Sequence, residues 1–445
     1  MTILKTLATA CALLTAITAL AQTTRQEMAA TPAKNGGVYY PYPVTERIDT
    51  PAPKGYTPFY VSHYGRHGSR YLIADRDYSE VMQILIRARS AGALTELGRD
   101  VADRLDSVWI EAHGRGGELS PLGNRQHRAI AQRLYKAVPL VFQPAKGKNS
   151  ADQPVVTATS TVVMRCAHSM FAFIEALKEL NPQLVIPRES GERTMVYMNY
   201  HSPESSQFNN HNSQAHFATR NFRKAKTQPD RLMASLFSDS AYVRNHIDAD
   251  DLMWKLYWVA VDMPNMETPI SFFDIFTADE LFDLWQVFNF DFYSHNSSYP
   301  PAQGAFTDNA RNLVINIVDS ADHYVSAGRR GATLRFGHDG NIIPLAALLQ
   351  LEGAVAWQSD PGLLYKEYTD FKISPMAANI QMILYRNPSG DVIAKFMLNE
   401  REVHIPIPTD MFPYYKWDDA RAWLKRVADT PSAEFIPAGR RVPAQ

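Results

Sequence analysis

Two arginines bracket a histidine in Arg66-His67-Gly68-Ser69-Arg70, directly after the β-prone run Phe59-Tyr60-Val61-Ser62-His63-Tyr64. Paired guanidiniums match a phosphate or carboxylate with parallel hydrogen bonds, and an imidazole between them is placed to act on the bound group. Gly65 and Gly68 are expected to permit a tight turn and a close backbone approach to a ligand. An isolated R-x-x-x-R is most simply a solvated surface loop. At the end of a strand and around a histidine, it is a candidate anion site.

Two more features of the same kind follow along the chain. Arg165 comes after the strand-like PVVTATST (154–161) and opens an amphipathic stretch, and His338-Asp339 follows the strand-like ATLRF. A single His-Asp pair is more often structural than catalytic. In open α/β sheets, however, ligands bind outside the carboxyl ends of the strands. Three such features at three strand ends are therefore expected to converge on one site.

The elements that must hold these residues can be read from periodicity. The strand at 59–64 is followed by helical spacing over 78–90, then by a helix opened by Ser120 as N-cap and Pro121 in its first turn. The strand at 154–161 and a helix over 165–180 complete the order strand, helix, helix, strand, helix, an α/β layout. Residues 191 to about 328 are rich in Trp, Phe, Tyr, Asn and Asp with helical stretches and little strand signal. Strands resume at 332–339, and a hairpin is expected from 379–387 and 391–399 around Pro388-Ser389-Gly390. The fold class expected is α/β, with a mostly parallel central sheet flanked by helices and a largely helical inserted cap. In domains, 22–190 and 329–445 form the core and 191–328 the cap. Residues 38–58 carry five prolines and read as an extended arm without regular structure.

Composition sets the outer bounds. The chain has 445 residues, 45% of them hydrophobic, and a formal net charge of −1, which lacks the basic excess of a nucleic-acid binder. Residues 1–21 read as a secretory signal: Lys5, an apolar run shorter than the roughly 20 residues a membrane span needs, and Ala19-Leu20-Ala21 before Gln22. We expect no membrane span and a periplasmic or secreted protein. Cleavage removes Cys11 and leaves Cys166 alone, excluding an intramolecular disulfide.

Other candidates carry bland readings. His201, His211 and His216 are loosely spaced in an Asn-rich stretch and read as a loop rather than a metal site. His63 reads equally as pocket support and as core. Trp254, Trp258 and Trp285 sit at helical spacing and read as core, and Asn296-Ser297-Ser298 is a glycosylation sequon by pattern only.

Taken together, the motifs resemble the histidine phosphatase superfamily, in its acid phosphatase and phytase branch. R-H-G-x-R is matched by Arg66-His67-Gly68-Ser69-Arg70, and L-[ST]-x-x-G-x-x-Q by Leu119, Ser120, Gly123 and Gln126. An arginine followed by Ser and an A-F pair is matched by Arg165, Ser169, Ala172 and Phe173, and the late H-D motif by His338-Asp339. The wording around residues 62–72 is most similar to the multiple inositol polyphosphate phosphatases, although His338-Asp339-Gly340 stands where those carry H-A-E. The resemblance implies a small phosphorylated substrate, no cofactor and no metal. It implies His67 as nucleophile, Asp339 as proton donor, and Arg66, Arg70, Arg165 and His338 as phosphate ligands. Broad-specificity acid phosphatase, mutase and non-catalytic binding protein are the rival readings.

Overall fold

Strand β1, Thr57–Arg66, lies at the centre of the architecture. The computed structural model describes residues 24–143, 153–210 and 213–441; the leader expected over 1–21, and His211, lie outside them. After β1 come α1 (Arg76–Ser90), α2 (Glu96–Ala112) and α3 (Pro121–Ala137), then β2 (Val155–Ser160), α4 (Met164–Leu180) and the short β3 (Arg188–Ser190). Helix α2 was not among the expected elements. Its signals are nonetheless regular: Thr95 accepts from Gly98 N–H as N-cap, and Val101, Leu105, Val108 and Ala112 form the buried stripe. Ser120 caps α3 as expected, accepting from Gly123 N–H.

Between Met195 and Ala327 the described residues fold into helices joined by loops, the longer ones being α5 (Gln214–Lys226), α6 (Ala249–Asp262), α7 (Ala278–Asn296) and α8 (Arg311–Ala327). His216 lies in α5, not in a loop, because Ser213 caps that helix. Beyond α8 follow β4 (Gly331–Gly337), α9 (Asp339–Leu348), β5 (Asn379–Arg386), β6 (Val392–Leu398), β7 (Arg401–Glu402), β8 (Tyr414–Lys416) and α10 (Trp417–Asp429). The proline-rich arm runs without regular structure after a 3₁₀ segment, Pro32–Tyr39, that takes in its first two residues. No helix among the described residues is long and apolar enough to cross a membrane.

The sheet order is β3-β2-β4-β1-β5-β6-β7, with β8 beside β6. Strands β3, β2, β4 and β1 are parallel. The β5–β6 hairpin adds itself antiparallel to the free edge of β1, so the expected parallel core is present within a sheet that is mixed as a whole. Side chains of β1 alternate between two cores, as a pleated strand requires. Val61 packs with Ile130 of α3 and Phe173 of α4, while Tyr60 and Tyr64 join the aromatic side chains of the middle helices. Trp254 is buried in the first of these cores and Trp285 in a small separate cluster with Phe282 and Phe371, both as read from their spacing.

Candidate active site

Register brings the three strand ends together. Arg66 at the end of β1 pairs with Gly337 of β4, and Ser160 of β2 pairs with Phe336 beside it. The first turns after β1, β2 and β4 therefore meet at the carboxyl ends of the parallel strands. They carry Arg66, His67 and Arg70, then Arg165, then His338 and Asp339, so all six predicted residues are neighbours.

The loop after β1 is braced from behind by α3 and α4. Gly68 N–H donates to Ser169 Oγ (3.2 Å), Ser69 N–H to Gln126 Oε1 (2.9 Å), and Gln126 Nε2 returns a bond to Ser69 Oγ (2.8 Å). A Cβ on Gly68 would lie 2.6 Å from the Gly123 carbonyl oxygen. This glycine serves the packing of loop on helix, and its close approach is to α3, not to a ligand. Gly65 is likewise filled from below, where a Cβ would meet the His63 ring at 2.8 Å. His63 itself is buried between Phe173 and Phe336, which settles it as core.

His67 is buried, and its Nδ1 lies 3.0 Å from Gly68 O. A carbonyl only accepts, so Nδ1 carries the proton and the Nε2 lone pair is left free. Burial, followed by the charges of Arg66, Arg165 and Arg70 and by His338, holds the imidazole pKa well below its ordinary value. The ring is a neutral base at physiological pH. His338 stands edge-on to it with ring centroids 5.8 Å apart, fixed by Thr161 Oγ1 at 3.1 Å from Nε2. Burial and the same arginines push its pKa down to about 4 against the opposing pull of Asp339.

The arginines are anchored, but not exhausted. Arg66 Nη1 donates to the carbonyls of Val38 and Ser374, and its Nη2 lies 2.7 Å from Asp339 Oδ2. Arg70 donates through Nη1 to Tyr71 O (2.8 Å) and through Nη2 to the Tyr39 hydroxyl (2.9 Å). The Nε–H groups of Arg66, Arg70 and Arg165 are all buried without a hydrogen-bond partner among the described residues. Buried donors left unpaired cost stability, and an arriving anion removes that cost.

Asp339 opens α9, with Oδ1 accepting from Gly340 N–H at 2.8 Å. Burial opposes its ionisation, yet Arg66, His338 and the Gly340 N–H together hold its pKa below the ordinary carboxylate range. Cys166 is a buried free thiol, its Sγ 3.2 Å from Gly337 O, and burial pushes its pKa up to about 12. It is a packing group here, since only a thiolate is a strong nucleophile. Val38, Tyr39, Thr161 and Ser374 are site residues that sequence reasoning did not single out. Arg335, in the strand-like ATLRF before His338, is not a site residue and is buried against Ser62, Asn316 and Ser320.

Among solved structures, a multiple inositol polyphosphate phosphatase of Bifidobacterium longum in complex with inositol hexasulfate matches with a TM-score of 0.72 and 18% identity, over 92% of this chain and 100% of that one. The phytase of D. castellii matches with a TM-score of 0.64 and 16% identity over 89% and 86% of the two chains. The apo form of Hafnia alvei phytase matches with 0.51 and 14% over 88% and 100%. No curated protein matches. The family model for the histidine phosphatase superfamily (branch 2) matches residues 65–401, a span that begins at the end of β1 and takes in all six candidate site residues. With this match over most of its length, the chain belongs to that superfamily and is a phosphoric monoester hydrolase.

Proposed function

We propose that the chain hydrolyses phosphate monoesters through a phosphohistidine on His67, with inositol polyphosphates as its substrate class. The observation that carries this reading is the set of buried, unpartnered Nε–H donors on Arg66, Arg70 and Arg165 around a histidine kept neutral with its Nε2 free. In the first step the Nε2 lone pair forms a bond to phosphorus as the bond to the ester oxygen breaks. Asp339 gives its proton to the departing alkoxide. In the second, Asp339 as carboxylate takes a proton from water, the water oxygen bonds to phosphorus, and the P–N bond breaks to restore neutral His67. The guanidiniums and His338 hold the nonbridging oxygens and the charge that develops on them.

Asp339 is ionised in the free enzyme. A phosphate dianion seated beside it raises its pKa by like-charge repulsion, so substrate binding and protonation of the donor go together. Support for the substrate class comes from the wording of residues 62–72 and from the named activities of the similar structures. Residues 1–21 support export to the periplasm or beyond. The test is phosphate release from inositol hexakisphosphate and from an aryl phosphate, combined with rapid quenching to trap a base-stable, acid-labile phosphoenzyme. Rapid turnover of the aryl ester with inositol hexakisphosphate untouched would make the protein a broad acid phosphatase. Turnover without any phosphoenzyme would remove the covalent step.

A further inference from the structure

The segment that anchors the arginines comes from outside the α/β motifs. Val38 supplies a carbonyl to Arg66, and the next residue, Tyr39, supplies a hydroxyl to Arg70, whose guanidinium carbon also sits 4.7 Å over the Tyr39 ring centroid. Tyr39 is near enough to act electrostatically on Arg66 and Arg165 as well. One phenol thus contacts Arg70 and lies within electrostatic range of Arg66 and Arg165.

The arm is held rigidly in this position. Gly37 takes φ +53°, and a Cβ there would lie 2.3 Å from an Asp370 carboxylate oxygen, so only glycine fits. That carboxylate accepts from Val38 N–H (3.2 Å) and from the Trp285 indole (2.9 Å). The Tyr257 hydroxyl donates to Asn35 O, Asn265 Nδ2 donates to Tyr39 O, and Met376 N–H donates to Tyr40 O. The Tyr39 ring packs on Trp258 and Phe288, at 5.8 and 6.0 Å between centroids.

Because the Tyr39 oxygen accepts from Arg70, its own proton is free to point elsewhere. Among the described residues no acceptor lies within hydrogen-bond reach of it, and the side chain is partly open to solvent. We propose that Tyr39 is a substrate-binding residue: it orients Arg70 and donates its hydroxyl proton to an oxygen of the bound phosphate, making the arm part of the phosphate site. This rests on the phosphatase reading above.

The test compares Tyr39→Phe and Tyr39→Leu with wild type, reading kcat and KM for an aryl phosphate and the affinity for inorganic phosphate by titration calorimetry, with thermal unfolding as the check on folding. Tyr39→Phe keeps the ring under Arg70 and loses only the hydroxyl. A hydrogen bond to a charged group is worth about 10- to 100-fold. We expect KM and the phosphate dissociation constant of Tyr39→Phe to rise in that range while kcat changes less, with unfolding still cooperative and the melting temperature lowered only by the loss of the one bond from Arg70. A Tyr39→Phe protein within about twofold of wild type in both quantities, with Tyr39→Leu impaired, would reduce Tyr39 to packing and overturn the proposal. A fall in kcat alone, at unchanged phosphate affinity, would overturn it too. Phosphate binding that depends on the Tyr39 hydroxyl in a protein that turns over no monoester would refute the hydrolase mechanism and leave this role of Tyr39 standing.

Discussion

Replacing Asp339 by Asn separates two effects that the geometry combines in one carboxylate. Asn keeps the shape of the side chain and an oxygen for Gly340 N–H, but removes both the transferable proton and the charge 2.7 Å from Arg66 Nη2. Loss of the proton acts on the leaving group. General-acid assistance is worth about 10²–10⁴-fold, so kcat for inositol phosphates, whose alkoxides need protonation, should fall by that order. An aryl ester with a nitrophenolate leaving group should lose far less. Loss of the charge acts on binding, in the opposite direction. A carboxylate about 4 Å from a bound phosphate oxygen repels it by about 1 kcal/mol under water-like screening and about 4 kcal/mol at an effective dielectric near 20. The Asp339 side chain is 23% exposed, so the lower end is the safer figure, and it corresponds to a gain of about fivefold in phosphate affinity. The assay measures kcat and KM on both substrates together with inhibition by inorganic phosphate. Asp339→Asn should be slow on the inositol ester, nearly normal on the aryl ester, and more sensitive to phosphate than wild type. Equal losses on both substrates would refute the donor role and reduce Asp339 to orienting its neighbours. Phosphate inhibition no tighter than in wild type would refute the charge argument.

Further outcomes follow from the same site and core. His67→Ala should abolish turnover while circular dichroism stays native, and near-normal activity in that variant would displace His67 as nucleophile. His63 and His127 are buried with pKa values held down to about 3 by desolvation, against 6.5 when unfolded. Each binds its proton in the unfolded chain first, so stability falls as pH drops from 6.5 towards 3, by up to about 1.4 kcal/mol per pH unit and residue. Urea unfolding across that window should show the slope, and His127→Phe should remove its own share; an unchanged slope would show that His127 is protonated in the native state. No three His, Cys, Asp or Glu side chains group as metal ligands among the described residues, so prolonged chelation is expected to leave turnover intact. Loss that zinc or magnesium restores would contradict that. Protein recovered from a periplasmic fraction should begin at Gln22, and an uncleaved N-terminus in that fraction would remove the leader reading.

What was legible in the sequence was local. The Arg66–Arg70 run, the Ser120-Pro121 start of α3 and the β5–β6 hairpin each carry their signal within a few residues, and each forms where its signal lies. Helix α2 had the same kind of signal, an N-cap and a buried stripe, and could have been read from it. His216 was likewise readable as helical from Ser213. The mixed character of the sheet was not legible, because it depends on which edge β5 chooses, and that pairing joins residues more than 300 positions apart. The same holds for the site. Its charged residues stand in motifs, but the carbonyl of Ser374 that fixes Arg66 is 308 residues away from it, and the Tyr39 hydroxyl that fixes Arg70 is 31 residues away in an arm without motif. Chemistry is concentrated in sequence; the groups that aim it are scattered.

That scatter has a consequence for how the protein comes into being. The arm precedes β1 in the chain, yet the groups that seat it are Tyr257, Asn265, Asp370 and Met376. Until synthesis has passed Met376, Arg66 and Arg70 have neither the Val38 carbonyl nor the Tyr39 hydroxyl in place, and the anion site has no fixed form. A growing chain therefore carries the complete R-H-G-x-R run before it carries the groups that fix its arginines. The same dependence runs backwards in the finished molecule. Proteolysis that removed Val38 and Tyr39 would take the carbonyl from Arg66 and the hydroxyl from Arg70 without cutting any strand of the sheet.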